Sequence, residues 1–248
     1  MAVAQAERGV ATGALHENGR KPLINEVRAL GEFFNIQFHP IYYGIGVPHG
    51  DNSPVIPIPG LFSSDWHLIW QRSWLRRIGY QSYPSGINFA NMYPDRHMRE
   101  ITGRIERIQR HTNRRVKLIG HSLGGIYAKL IALSRPDLIE SIVTLGSPLN
   151  GNHDKSVDPI VLALGKTVIP LLRNPDEVGR RSRELSNRLP PGIGSTNIYS
   201  KGDGVVGWPS CIDPDPQATN IEVSGTHAGL IWNPQVYKHI ATALARAR

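Results

Sequence analysis

Apolar side chains along this chain fall into two repeating patterns. Short runs rich in β-branched residues, at 55–60, 115–120, 139–145, 196–200 and 219–223, end at or near Gly, Ser or Pro and predict buried strands. Residues 80–83 add a shorter strand candidate. Between these runs the apolar positions recur every three or four residues. Met98, Ile101, Ile105 and Ile108 predict a helix over 95–111, and a second helix is predicted over 122–134, closed by Arg135-Pro136. Val236, Ile240 and Leu244 mark the buried stripe of a closing helix over 234–248. Nearer the start, Pro22 opens a predicted helix over 22–34 with Leu23, Val27, Leu30 and Phe34 on one stripe. A further helix over 65–77 is predicted from Asp65 as N-cap, with Trp66, Ile69, Trp70 and Trp74 read as core side chains. The aromatic, Gly-rich segment 39–50 is read as a strand and a turn, because its glycines do not match a phosphate-cradling G-x-G-x-x-G loop.

Strands alternating with helices at this spacing imply crossover units and a mostly parallel sheet with helices on both faces. Active sites of such sheets lie at the carboxyl ends of the strands, where Gly60, Ser122 and Ser147 fall. The rhythm breaks at 150–194, where an apolar patch (159–172) precedes a charged stretch (174–188) and Pro190-Pro191-Gly192. We read this as a helical cap inserted over the active edge, the alternative being a pair of crossover helices. Residues 1–20 read as a flexible arm, and 1–248 as one domain.

Composition narrows the class. A chain of 248 residues with 40% hydrophobic and 19% charged content is that of a globular protein with a large core, not a disordered one. The single cysteine, Cys211, excludes an internal disulfide and any multi-cysteine zinc site and is read as structural. The first twenty residues carry no apolar h-region and no run of about eighteen apolar residues occurs anywhere, so the expectation is a soluble, cytoplasmic protein without integral membrane association. A net charge of +8 raises the question of nucleic acid. The densest basic stretch, Arg96 to Lys117, is however interrupted by Glu100 and Glu106 on a helix and has no stacking aromatics, which reads as a solvated face.

The chemistry concentrates at Gly120-His121-Ser122-Leu123-Gly124, the G-x-S-x-G pattern in which a serine sits on a sharp strand-to-helix turn. Its flanking glycines remove side chains where strand and helix pass closely, and the following Leu123 N–H lies at a helix N-terminus that favours a developing anion. A nucleophilic serine needs a base and a carboxylate that orients the base. Asp203, between two glycines after a strand, and His227, in Gly225-Thr226-His227, supply these in the chain order Ser, Asp, His. Asp213 and Asp215 are rivals for the acid but sit in a Pro-rich loop. His16, His39, His49, His67, His97, His111, His121, His153 and His239 lack the setting of His227 and are read as core or surface side chains. No H-E-x-x-H or similar ligand spacing occurs, so no metal or other cofactor is expected.

With the elbow, the acid turn Gly202-Asp203-Gly204-Val205-Val206, the His227 turn and the segment Pro59-Gly60-Leu61-Phe62, the chain resembles the α/β-hydrolases, more narrowly their lipase-like bacterial serine esterases, over about residues 54–247. The resemblance implies the α/β-hydrolase fold and an esterase working through Ser122, His227 and Asp203. It also implies an oxyanion hole formed by the N–H groups of Leu61 and Leu123. Pro59 stands where many relatives have His, which leaves Leu61 or Phe62 as the second donor. Phe62, Leu164, Ile169 and Leu172 are the expected substrate contacts, and the substrate is a small ester with an apolar part. Acyl transfer by the same triad, or a non-catalytic ligand-binding module, are the alternatives.

Overall fold

The computed structural model describes residues 26, 28–88, 94–149, 180 and 183–246. Its centre is a sheet whose six described strands are β1 (Pro54–Ile58), β2 (Gln81–Ser82), β3 (Val116–His121), β4 (Ile139–Leu145), β5 (Gly194–Ser200) and β6 (Ala218–Val223). They lie in the order β2-β1-β3-β4-β5-β6. Every pairing is parallel. Among the described residues, the helices that accompany them include α1 (Ala29–Phe38), α2 (Ile69–Arg77), α3 (Pro94–Thr112), α4 (Leu123–Ser134) and α5 (Pro234–Arg246).

A parallel strand covered on both sides must be apolar on both sides, and the strand residues divide accordingly. Val55, Ile119 and Val143 pack with Trp74, Leu75, Val236, Ile240 and Leu244 of α2 and α5. Their neighbours Ile56, Leu118 and Ile142 pack instead with Ile101, Ile105 and Ile108 of α3 and with Tyr127, Ala128 and Ile131 of α4. Prolines in a strand point to an edge, yet β1 lies between two neighbours. The Tyr83 N–H donates to the Val55 carbonyl, so Val55 faces β2, and Pro57, two residues on, faces the same side beyond the end of the β2 pairing. Its missing N–H therefore costs no rung of the ladder.

The first third of the chain departs from the sequence reading. Leu23 and Val27 and the arm 1–20 lie outside the described residues, α1 runs on to Phe38, and Phe34 is 59% exposed, whereas Ala29 and Ile36 face inward. Residues 39–50 form no strand. Pro40 begins a 3-10 turn (Pro40–Tyr43) whose Ile41 N–H donates to His39 Nδ1, and Gly44 closes it at φ 84°. Asp65 does not cap α2. Its carboxylate instead accepts from Ser85 N–H (2.9 Å), Ser85 Oγ (2.9 Å) and Gly86 N–H (2.7 Å), so the helix begins later, at Ile69. That delay leaves Trp66 74% exposed and turns Gln71, Trp74 and Leu75 inward. Ile69 and Trp70 stay on the surface, while Trp74 is fully buried and its Nε1 donates to the Ile41 carbonyl at 2.9 Å. Among the described residues no helix is long and apolar enough to cross a membrane. Residues 150–179 of the expected cap, with Leu164, Ile169 and Leu172, lie outside the described residues.

Candidate active site

Ser122 is the junction between β3 and α4, with φ 52° and ψ −119°. A non-glycine residue held there costs about 1–3 kcal/mol, which the surrounding packing must offset. Its N–H donates to the Leu145 carbonyl at the end of β4 (2.8 Å). Serine at an N-cap ordinarily spends its hydroxyl on the helix; Ser122 makes no such bond, and its side chain stays half-buried at the carboxyl edge of the sheet. Close approach explains the glycines. A Cβ on Gly124 would lie 2.7 Å from the Pro59 carbonyl oxygen, and one on Gly60 would lie 3.0 Å from both His121 Nδ1 and Ser122 Cβ.

The second contact brings the turn after β1 against the elbow. Ser63 N–H donates to the Gly60 carbonyl (3.1 Å), closing a turn over Leu61 and Phe62 in which Phe62 takes φ 58°. Leu123 begins α4, where helix geometry supplies no intrahelical acceptor for the first N–H groups.

Asp203 and His227 face one another across the ends of β5 and β6. His227 Nδ1 donates to Asp203 Oδ2 at 2.6 Å, with both side chains buried. The other carboxylate oxygen, Oδ1, accepts from Val205 N–H (2.8 Å) and Val206 N–H (2.7 Å), which orients the group. The two turns are tied together by Ser200, whose Oγ donates to the Gly225 carbonyl (2.6 Å) and accepts from Gly202 N–H (2.9 Å). Burial alone would depress the His227 pKa, but the charge and hydrogen bond of Asp203, with a contribution from the Glu26 carboxylate, outweigh it and raise the value above the ordinary one. The rival acid is otherwise engaged: Asp213 Oδ2 accepts from the buried Lys129 ammonium at 2.6 Å.

Two contacts carry Ser122 toward this pair. His121, its predecessor, donates from Nε2 to the His227 carbonyl (2.9 Å), with the two rings 4.9 Å apart. Burial, then the His227 charge, push the His121 pKa down to about 3, so the ring is neutral and its Nε2 carries the proton it donates. Gly146 follows Leu145, the residue that accepts from Ser122, and sits at φ 55° beneath the pair. A Cβ there would lie 3.1 Å from Asp203 Oδ2 and 3.2 Å from His227 Nδ1. Gly146→Ala is therefore expected to cost about 1–2 kcal/mol for the left-handed backbone alone and to displace the imidazole. Chemical denaturation checks the first effect, and the NMR shifts of the His227 ring check the second.

Sequence reasoning assigned His121 no role and did not single out Glu26 and Glu32. Glu26 accepts from Gly204, His227 and Ala228 N–H groups, and Glu32 from Thr226 N–H (3.0 Å) and Thr226 Oγ (2.6 Å). No spacing rule relates these acidic residues to loops near the end of the chain. Among the described residues no cluster of His, Cys, Asp and Glu is arranged to hold a metal ion. Cys211 is buried, and burial, with Asp203 nearby, raises its thiol pKa well above the usual value.

This all-parallel sheet, with helices on both faces and an elbow serine, an acid turn and a histidine loop at its carboxyl edge, is the α/β-hydrolase fold. Residues 88–170 match the family described as the PGAP1-like alpha/beta domain. Over 107 residues the chain is 31% identical to a triacylglycerol lipase of Vibrio cholerae serotype O1, a stretch covering 40% of this chain and 33% of that one. The chain thus spans about a third of the length of the curated relative it matches. Two solved structures share the fold over most of both chains. One, from work on the metagenome-derived lipolytic enzymes LipS and LipT, superposes with a TM-score of 0.59 at 14% identity, covering 82% of this chain and 96% of that one. The other, a monoacylglycerol lipase of Paleococcus ferrophilus, gives 0.56 at 18% identity, covering 82% and 97%.

Proposed function

We propose that this protein is a serine ester hydrolase acting through Ser122, His227 and Asp203. The observation that carries the reading is the buried Asp203–His227 hydrogen bond of 2.6 Å together with a strained serine whose hydroxyl does not cap its own helix and which follows His121, the residue bonded to the His227 carbonyl. The likeness to a triacylglycerol lipase over part of the chain supports the same class.

With Nδ1 engaged by Asp203, the His227 Nε2 is the nitrogen left to accept the Ser122 proton as Oγ attacks an acyl carbonyl. The tetrahedral oxyanion is received by the Leu123 N–H and by an N–H of the Gly60–Ser63 turn, with Leu61 as our assignment and Phe62 as the other residue of that turn. His227 then returns the proton to the departing alkoxide, and the alcohol leaves an acyl-enzyme. Water, deprotonated by His227, attacks the acyl carbon, and collapse restores Ser122 and releases the acid. Asp203 keeps the imidazole in the required tautomer and balances its charge while protonated.

The apolar part of the substrate is assigned to Phe62, half-buried beside the elbow, and to Leu164, Ile169 and Leu172 of the proposed cap. A p-nitrophenyl ester series from acetate to palmitate tests this. kcat/KM is expected to rise with chain length, by at most about fourfold per methylene at about 0.8 kcal/mol each, until the pocket is full. Replacing Leu164, Ile169 and Leu172 by serine is expected to flatten the rise. A flat profile in the unaltered protein would overturn the apolar acyl site, and an unchanged profile in the triple variant would overturn the cap.

A further inference from the structure

We propose that Glu26 is a positioning residue of this site, its carboxylate clamping the turn that carries Asp203 to the loop that carries His227. The kinetic part of the proposal rests on the ester-hydrolase reading; the geometric part does not. Glu26 Oε1 accepts from Gly204 N–H (2.9 Å) and from His227 N–H (3.0 Å), and Oε2 accepts from Ala228 N–H (3.0 Å). One side chain thus joins the residue after the acid to the histidine itself, across 178 and 201 positions of sequence.

Both loops need such a partner. The His227 and Ala228 N–H groups open a short 3-10 helix (Ala228–Trp232), whose first donors have no acceptor within it. A carboxylate is suited to gather several converging N–H groups, and charge-assisted bonds of this kind are about twice as strong as neutral ones. The neighbouring loop residue is held in the same manner, since Glu32 of α1 binds Thr226 through its N–H and its hydroxyl. Gly225 and Gly229, on either side, leave room for Glu32; a Cβ on Gly225 would lie 3.2 Å from its Oε1.

The clamp also has an electrostatic side. Among the described residues, the titratable groups facing His227 are Asp203 from the end of β5, neutral His121 from the end of β3, and Glu26 from the segment preceding α1, with Glu32 one residue away on Thr226. Burial works against the imidazolium, and Glu26 joins Asp203 in favouring it. Its loss is expected to do two things at once: loosen the aim of the imidazole and make it harder to protonate.

The experiment compares the full-length wild type with Glu26→Gln and Glu26→Ala, using p-nitrophenyl butyrate turnover across pH and an NMR titration of the His227 ring. Glu26→Gln keeps the shape but removes the charge and turns an amide N–H toward a backbone donor. It is expected to lower kcat by about tenfold to a hundredfold with KM nearly unchanged, the loss typical of an imprecisely placed catalytic group. The acid limb of the kcat/KM profile and the His227 titration are expected to move together to lower pH. Formate is expected to restore part of the kcat of Glu26→Ala by occupying the vacated carboxylate position. A variant that only melts earlier, keeping the wild-type kcat, pH profile and His227 titration, overturns the proposal and leaves Glu26 a stabilising role alone. Failure of a fluorophosphonate to label the wild type sinks the hydrolase reading instead, while the His227 titration still decides the clamp.

Discussion

Ser122→Ala is expected to lower kcat for ester hydrolysis by about 10⁶-fold, leaving the residual acceleration of about 10³–10⁴ over water that an oxyanion hole and substrate binding supply. The loss belongs to chemistry and not to folding. The Ser122 hydroxyl makes no capping bond, so removing it vacates no structural partner at the helix start. Alanine also carries the same Cβ at φ 52° and inherits the same backbone strain. The variant should therefore melt close to the wild type while losing all fluorophosphonate labelling. Retained turnover in a folded Ser122→Ala protein would remove the nucleophile from the mechanism and the ester-hydrolase reading with it.

Asp203→Asn is expected to cost about 10⁴ in kcat, the loss known for the corresponding change in serine proteases. The asparagine oxygen can still accept from the Val205 and Val206 N–H groups, as Asp203 Oδ1 does. Its amide then faces His227 Nδ1 as a donor. That traps the imidazole with its proton on Nε2, the nitrogen that must be empty to accept from Ser122. The comparison with Asp213→Asn sharpens the test, because Asp213 neutralises an ammonium on Lys129 that is 2% exposed. Leaving that charge buried without a counter-ion is expected to cost about 3–5 kcal/mol of stability. Turnover per folded molecule should be unchanged. If Asp213→Asn abolished turnover in the folded protein and Asp203→Asn did not, the acid would be misassigned.

Between sequence and structure, the candidate site was legible wherever its requirements are local. An elbow serine needs small neighbours on both sides, and Gly120 and Gly124 announce this in five residues. The carboxylate and the histidine each follow a strand, so their order along the chain places them at one edge of a parallel sheet. A β-branched apolar run likewise marked β4 at its observed bounds, and apolar spacings of three and four marked the buried face of α3, where Ile101 and Ile105 are fully covered. Periodicity misled where a distant group competed for a local role. Asp65 has the look of an N-cap, yet Ser85 and Gly86 claim its carboxylate, and the delayed helix sends Trp66 outward. The aromatic, Gly-rich segment 39–50 reads as a strand and a turn, but Pro40 and the His39 side chain nucleate a 3-10 turn instead.

By itself, then, the sequence determined the alternating strand and helix plan, the strained serine and the identities of its acid and base candidates. These follow from steric limits and side-chain periods that act over a few residues. Only the tertiary structure decided which carboxylate meets His227, that Asp213 is held by Lys129, that His121 supports the histidine loop, and that Glu26 reaches it from the other end of the chain. The physical reason is that a hydrogen-bond donor or acceptor carries no record of its partner. An N–H at position 227 and a carboxylate at position 26 are interchangeable with many others until the packing of the sheet and its helices sets them 3.0 Å apart.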